Sequence, residues 1–477
     1  MRIRAGLITK SIALFLAAGI TALSLSGCQY ESFDDYLQAV GIKAPDFDEE
    51  TPEESPELTF EGLTEEEQVP DEEGLPDQSE IPAKELATDL PSEEEAVEST
   101  YQADEPSALD SSFDAGDNEK RAAIGLSSSS IPALKEKQKG LYAFEKLTDT
   151  GKTLYVEMLT IIENLGEDIC VSTTNSDDLE LVYNYIMIDH PEIFYVDGYQ
   201  YKNYTLGSTV TKMTFTGNYL YGADEIARRQ RLINDAVNKC LANAPSSEDD
   251  YYVIKYIYDY IITNTDYDLN APDNQNICSV FINGRSVCSG YAKATQYLLN
   301  KLGIETVFVY GQVRNNSGIK ENHAWNLVLC NDAYYYLDTT LGDFSYRSTT
   351  GESADASKLP KVNYSYMNIT TAELIKSHDI TDEIEMPLCS STTDNYFIRE
   401  GEYFTSAELS LVKDLFDRRY KEGADSVTIK CATPQVYTEL FDQLITGRKV
   451  FDYIQGEDNS TVSYTVFEDM QLIMIWL

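Results

Sequence analysis

The chain has 477 residues, enough for two or three domains, and it carries 81 acidic against 36 basic residues, for a net charge of −45. So acidic a chain repels a phosphate backbone, which argues against nucleic acid as a partner. Its eight cysteines are scattered with no Cys-x-x-Cys pair, and we therefore predict no metal and no cofactor.

Residues 1–27 have the features of a secretory signal. Arg2, Arg4 and Lys10 precede an apolar run from residue 11 to residue 23, which is too short to span a membrane. The following Leu25-Ser26-Gly27-Cys28 resembles a bacterial lipobox, which implies cleavage before Cys28 and a lipid on its sulfur. We predict a protein attached through Cys28 to the outer face of the bacterial cell membrane. An uncut membrane anchor is the alternative, and it would place the chain on the same side.

An acidic segment follows the signal. Residues 31–110 contain 28 Asp and Glu against two Lys, together with eight of the fifteen prolines. This composition buries too little apolar surface to offset chain entropy, and charge repulsion extends the chain. We predict a disordered acidic tether over residues 28–130, with a specific acidic recognition arm as the alternative.

The chain from residue 131 to residue 245 mixes helical and strand patterns. Helical periodicity runs from 131 to 165 with a break near 149–151, and again over 176–188 and 223–242. Residues 209–215 alternate as a strand. We predict a helix-rich α/β module, in which His190, at the helix end before Pro191, has a structural role.

The best candidate for chemistry is Cys288. Residues 291, 294, 298 and 302 repeat at helical spacing and Gly303 supplies a stop, so Cys288 lies at a helix N-terminus, with Lys293 and Gln296 among the residues of a polar stripe. Unpaired backbone N–H groups and the helix dipole favour a thiolate there, which makes the sulfur a nucleophile. The alternative is a small buried hydrophobic residue.

A hairpin carries the partners expected of a nucleophilic cysteine. Two β-rich runs, residues 323–330 and 333–340, flank the turn Asn331-Asp332. A symmetric turn makes Trp325 face Asp338 and leaves His323 diagonal to Asp338, within reach of a side-chain hydrogen bond. The carboxylate can then orient the imidazole toward Cys288, which is the arrangement of a cysteine acyl-transfer site. An odd-length turn would place the two side chains on opposite faces.

The motifs Gly284-x-x-x-Cys288-x-Gly290-Tyr291-Ala292, His323-Ala324-Trp325-Asn326 and Asp338-x-Thr340 resemble the transglutaminase-like superfamily of papain-type cysteine enzymes. The likeness is specific over residues 251–345 and looser on both flanks. It implies Cys288 as nucleophile, His323 as general base and acid, and Asp338 as the residue that orients the histidine.

Two positions depart from the family pattern. Leu341 stands where the family often has Trp, and no tryptophan precedes the cysteine to complete an oxyanion hole. The N–H of Cys288 should be one oxyanion donor. The candidates for the second donor and for substrate contacts are Tyr267, Gln275, Asn276 and Trp325.

The rest of the chain forms a smaller unit. Residues 407–420 and 436–445 have helical patterns, 427–432 a strand pattern, and 470–477 form an apolar run that we predict to be a core strand. His378, in a short helical stretch before Pro387, is predicted to be structural. The fold class is α+β, with a transglutaminase-like core at 246–388 between the N-terminal module and a C-terminal α/β unit at 389–477.

These features predict a surface-anchored cysteine enzyme that acts on amide bonds of peptides or proteins, cell-wall peptides included, through a thioester intermediate. Hydrolysis makes it a protease or amidase, and transfer to an amine makes it a crosslinking transamidase. We expect a monomer. The alternative is a catalytically silent binding or scaffold lipoprotein that keeps the fold.

Overall fold

The computed structural model describes residues 113–314, 319–343, 361–381, 384–455 and 461–477. The predicted signal, Cys28 and nearly all of the predicted tether lie outside the described residues. Within them the fold is a mixed α+β architecture, as the sequence predicts. No helix in these ranges is long and apolar enough to cross a membrane.

The N-terminal region is built from six helices and a small sheet. The helices are α1 (Ala115–Ala123), α2 (Ile131–Gln138), α3 (Tyr142–Glu145), α4 (Asp149–Glu163), α5 (Ser176–Asp189) and α6 (Ala223–Leu241). Strands β1 (Ile169–Val171), β2 (Val196–Leu206) and β3 (Thr209–Tyr219) form an antiparallel sheet in the order β1-β3-β2.

Two details of this region differ from the sequence prediction. The predicted tether extends to residue 130, but α1 already belongs to the folded part, because Arg121 forms a buried ion pair of 2.7 Å with Glu157 on α4. The predicted break near 149–151 is instead the start of α4. Thr148 Oγ1 accepts a hydrogen bond from the Gly151 N–H, which is an N-cap that periodicity does not reveal.

The central region begins with α7 (Asp250–Asn264), capped by Asp249, whose side chain accepts from the Tyr251 N–H. Two short strands, β4 (Asp266–Tyr267) and β5 (Arg285–Ser286), pair in parallel and lead into α8 (Cys288–Lys301). Helix α8 ends before Gly303, which adopts the left-handed conformation at φ 83°.

Helix α8 packs beside a four-stranded antiparallel sheet. The strands β6 (Thr306–Arg314), β7 (Lys320–Cys330), β8 (Ala333–Leu337) and β9 (His378–Ile380) lie in the order β8-β7-β6-β9. The β7–β8 register pairs Cys330 with Ala333 and Leu327 with Tyr336, as predicted. The hairpin has this register because both turn residues, Asn331 and Asp332, take positive φ angles, which the twist of a two-residue hairpin requires.

The C-terminal region contains α9 (Thr371–Leu374), α10 (Tyr396–Arg399), α11 (Leu409–Glu422) and α12 (Pro434–Phe441), with β10 (Tyr403–Phe404), β11 (Ser426–Cys431), β12 (Tyr464–Phe467) and β13 (Leu472–Trp476). These strands form a sheet in the order β10-β11-β13-β12. The last apolar run is therefore an internal strand, as predicted.

The hydrophobic residues form two clusters. The larger runs through the N-terminal and central regions, and the smaller is formed by α11, α12 and the C-terminal sheet. Strand β13 contributes to both, because side chains alternate along a strand: Leu472 and Met474 belong to the larger cluster, and Ile473 and Ile475 to the smaller.

Candidate active site

Cys288 is the first residue of α8, as the sequence predicts. Val287 before it is extended, and its carbonyl accepts the Tyr291 N–H at 3.1 Å, which closes the first turn. The sulfur therefore lies at the positive end of the helix dipole, where a thiolate is favoured. The side chain is fully buried, with 0% of its surface exposed.

The first turn of α8 packs against the preceding loop with almost no space between them. A β-carbon added to Gly290 would lie 2.0 Å from Ser286 Oγ and 2.7 Å from Ser279 Oγ. These two hydroxyls hydrogen-bond each other at 2.6 Å, and Ser286 Oγ also donates to the Asn274 carbonyl at 3.1 Å. Glycine two residues after the cysteine is thus a packing requirement, and the packing fixes where Cys288 lies.

His323 lies on β7 and is buried, with 2% of its surface exposed. Trp325 lies two residues further on the same face and stacks on the imidazole, with 6.0 Å between ring centroids and 22° between ring planes. Trp325 is fully buried, and its Nε1 has no hydrogen-bond partner among the described residues. This position suits support of the histidine ring, and a role for Trp325 toward substrate stays a prediction.

Asp338 follows β8 directly, and its carboxylate accepts four hydrogen bonds. Oδ2 accepts from His323 Nε2 at 2.8 Å and from His378 Nε2 at 3.2 Å. Oδ1 accepts the backbone N–H groups of Thr340 at 2.8 Å and Leu341 at 3.0 Å. The predicted contact between His323 and Asp338 is therefore present.

The electrostatics of Asp338 favour the charged form. Complete burial opposes ionisation, but the charge and hydrogen bond of His323 and the hydrogen bond of His378 outweigh it and hold the pKa of Asp338 well below its usual range. An acid that is ionised at neutral pH beside His323 can stabilise the imidazolium that forms when the ring takes a proton.

His378 was predicted to be a structural residue in a short helical stretch, and the helical part of that prediction is wrong. The residue begins strand β9, which pairs with β6, and its side chain reaches the Asp338 carboxylate. Spacing along the sequence could not reveal this, because only the pairing of β9 with β6 brings residue 378 to the site.

Two hydrogen bonds tie the cysteine helix to the histidine strand and the aspartate turn. Asn326 Nδ2, three residues after His323, donates to the carbonyl of Ala292 in α8 at 3.0 Å. The hydroxyls of Thr295, two turns into α8, and Thr339, next to Asp338, lie 3.1 Å apart. The helix that begins at Cys288 is therefore anchored to strand β7, which carries His323, and to the residue that follows Asp338.

The remaining candidates lie in the loop before α8. Asn276 uses its Oδ1 to accept the Cys278 N–H at 2.9 Å, which makes it a turn residue. Gln275 is partly buried, and Tyr267 is 7% exposed with its ring 6.4 Å from that of Tyr291. Which of them completes an oxyanion hole stays a prediction.

The imidazoles of His323 and His378 and the Asp338 carboxylate could in principle hold a metal ion, since one ligand atom from each lies within 4.8 Å of the others. Two hydrogen bonds onto one carboxylate oxygen already account for this closeness. The cluster is thus a complete hydrogen-bonded unit of an acid between two imidazoles.

Comparison with known proteins supports one family. Residues 239–339 match the model of the transglutaminase-like superfamily, and this range includes Cys288, His323 and Asp338. No match was found among curated proteins.

Two solved structures show a partial likeness. One, described as a TGase, is 16% identical with a TM-score of 0.22, and the match covers 30% of this chain and 44% of that one. Another, from Cytophaga hutchinsonii and provisionally described as a cysteine protease, is 14% identical with a TM-score of 0.20, and the match covers 30% of this chain and 61% of that one.

The matched region spans less than two thirds of either solved chain, and TM-scores of this size do not establish a shared fold. The match to the family model covers residues 239–339, the segment that contains all three candidate catalytic residues. The chain therefore contains a domain of the transglutaminase-like superfamily.

Proposed function

We propose that the protein is a cysteine acyl-transfer enzyme that acts on amide bonds of peptides or proteins, with Cys288, His323 and Asp338 as its catalytic residues. The observation that carries the proposal is the buried 2.8 Å hydrogen bond from His323 Nε2 to Asp338 Oδ2. It assigns Nε2 to the carboxylate, so Nδ1 is the ring atom that exchanges a proton with the thiol and the substrate.

The reaction follows from these roles. The Cys288 thiolate adds to the amide carbonyl carbon, and backbone N–H groups at the start of α8 stabilise the oxyanion. The His323 imidazolium gives its proton to the amide nitrogen, the C–N bond breaks, and an amine leaves a thioester on sulfur. Water or a second amine then attacks the thioester, His323 takes the proton of the attacking group, and the thiolate is regenerated.

The acceptor decides between a protease or amidase and a transamidase. Both outcomes use the same three residues, and the choice depends on how the cleft admits water. The substrate class, peptide or protein amides with cell-wall peptides among them, is part of the proposal. So is the location, a lipid on Cys28 at the outer face of the membrane, in which case Cys28→Ala would release the protein from the membrane fraction.

A second candidate is a catalytically silent scaffold or binding protein. It is favoured by one observation, the 0% exposure of the Cys288 side chain. An enzyme must open this site for substrate, whereas a scaffold need not.

Alkylation of Cys288 across a pH series separates the two candidates. Iodoacetamide labelling is followed by mass spectrometry of each cysteine peptide, with Cys431, whose pKa burial raises to about 12, as the internal reference. If the protein is an enzyme, we expect iodoacetamide to alkylate Cys288 at pH 6 at least ~10-fold faster than Cys431. We also expect that His323→Ala removes this advantage and that His190→Ala keeps it. Equal labelling of the two cysteines at every pH would favour the scaffold.

A further inference from the structure

We propose that His378 is a positioning residue of the site: as a neutral imidazole that donates from Nε2, it holds the Asp338 carboxylate in the orientation that fixes the His323 ring. Its effect on reactivity rests on the proposed function. Its hold on the carboxylate is a separate claim that can be tested without any substrate.

The geometry leaves the carboxylate one orientation. An ionised carboxylate has about four lone-pair sites, and here all four are used. Two backbone N–H groups occupy Oδ1, and the Nε2 atoms of His323 and His378 occupy Oδ2. If the His378 donor is removed, Oδ2 keeps a single donor, and the oxygen that orients His323 loses half of its restraint.

The surroundings of His378 make it a neutral donor. The side chain is fully buried, and burial lowers the pKa of His378, with the hydrogen bond to Asp338, the Asp338 charge and a backbone hydrogen bond with Leu374 only partly opposing it. A neutral ring has one N–H. With that proton on Nε2, Nδ1 can accept from the Ser377 hydroxyl, whose oxygen lies 2.9 Å away.

The close pairing of β9 with β6 brings the His378 ring to the site. Val313 on β6 pairs with His378, and two residues earlier a β-carbon on Gly311 would lie only 2.1 Å from the Asp379 carbonyl oxygen. The ring of His378 also meets Trp325 edge to face, with 4.8 Å between centroids. Trp325 thus contacts both imidazoles, which keeps the two rings at a fixed spacing around Asp338.

The chain has only three histidines, so nitrogen NMR of the full chain labelled with ¹⁵N-histidine can follow each ring. We expect His378 to be the neutral Nε2–H tautomer at pH 7 to pH 8. We also expect a low-field Nε2–H resonance of His323 that reports its bond to Asp338. Loss of the His323, His378 or His190 signals in single variants assigns the spectrum.

Two substitutions at residue 378 separate a donor from a filler of space. His378→Gln keeps an amide N–H near the position of Nε2, whereas His378→Leu does not. The proposal predicts that the His323 resonance is retained in the Gln variant and shifted or broadened in the Leu variant. It also predicts that Cys288 alkylation at pH 6 falls by ~10 to 100-fold in the Leu variant and recovers to within a few-fold of wild type in the Gln variant. His190→Gln is the matched control and should leave both readouts unchanged.

Three outcomes would overturn the proposal. These are a charged or Nδ1–H His378 in the wild-type chain at pH 7 to pH 8, a Leu variant that matches wild type, and a Gln variant that keeps the wild-type melting temperature but behaves like Leu. The first needs no variant, so it applies even if the Leu variant does not fold. If Cys288 proves unreactive in wild type, the proposed function fails, while the His323 resonance still decides whether His378 holds Asp338.

Discussion

At the scale of single residues, the chemistry depends on the ionisation of Asp338. This carboxylate is completely buried, and it accepts two hydrogen bonds from imidazole N–H groups and two from backbone N–H groups. Removing one donor leaves this buried charge with an unfilled acceptor site, and removing the carboxylate takes the acceptor from all of its donors, so the group is stable only as a unit.

Asp338→Asn tests this unit. The amide can keep one oxygen for the Thr340 and Leu341 N–H groups, but its NH₂ group then faces two ring N–H donors. We expect Cys288 alkylation at pH 6 to fall ~100-fold or more, since the histidine loses its orienting charge. Exposed Asp235→Asn is the matched control.

The same substitution carries a pH signature in urea unfolding. The folded pKa of Asp338 lies below its ordinary value of 3.8, so the carboxylate stabilises the fold above pH 3.8 and loses this contribution as the pH falls below that value. The gap in free energy of unfolding between wild type and Asp338→Asn should therefore be largest near neutral pH and should narrow toward pH 3. A gap that stays constant would show that the charge does not matter.

The sequence identified the pair His323 and Asp338 because a two-residue turn fixes the register of a hairpin, and register decides which side chains share a face. Sequence patterns did not identify His378, because it lies on a strand 40 positions after Asp338. Local patterns predict which residues face one another within a hairpin. They do not predict which distant strand joins its edge.

At the scale of elements, the start of α8 was predictable and its surroundings were not. Residue spacing indicated a helix from Cys288 and a stop at Gly303. The predicted polar stripe is wrong for Gln296, which is 1% exposed and donates from Nε2 to the Ile188 carbonyl at 2.8 Å. The helix is covered by the sheet on one side and by α7 on another, and Gln296 also reaches α5, so periodicity does not reveal a second buried face.

Gly290→Ala tests whether the packing of the first turn of α8 holds Cys288 in place. The added methyl group would overlap Ser286 Oγ and Ser279 Oγ, so the helix start must shift. We expect a loss of ~1 to 3 kcal/mol in free energy of unfolding by urea, together with slower Cys288 alkylation at pH 6.

Two further variants make this test specific. Gly222→Ala adds the same methyl group where nothing lies within 4 Å, and it should leave both measurements near wild type. Ser286→Ala in the Gly290→Ala background removes the closest oxygen and should recover part of the stability. Wild-type alkylation in Gly290→Ala would mean that the cysteine does not depend on this packing.

At the scale of the whole molecule, β13 contributes to two hydrophobic clusters, and the C-terminal unit is therefore packed against the larger cluster of the described residues. The apolar character of the last residues predicted a core strand, but only the sheet shows that its two faces serve different clusters. A cavity of about 230 Å³ lies between the larger cluster and polar residues of α11 and β11, lined by Leu472, Met474, Tyr364, Arg419 and Glu402 among others.

Glu402 makes this junction sensitive to pH. Its side chain is 2% exposed, its nearest cation is Arg419 Nε at 3.7 Å, and burial raises the pKa of Glu402 from 4.5 to about 7. Because the folded pKa is the higher one, the folded state binds the proton more tightly, and stability falls as the pH rises from 4.5 through 7.

Glu402→Gln cannot ionise, so its free energy of unfolding relative to wild type should increase by ~2 to 3 kcal/mol between pH 4.5 and pH 8 in urea titrations. Exposed Glu408→Gln should show no such rise, and a pH-independent difference for Glu402→Gln would mean that Arg419 already neutralises the carboxylate.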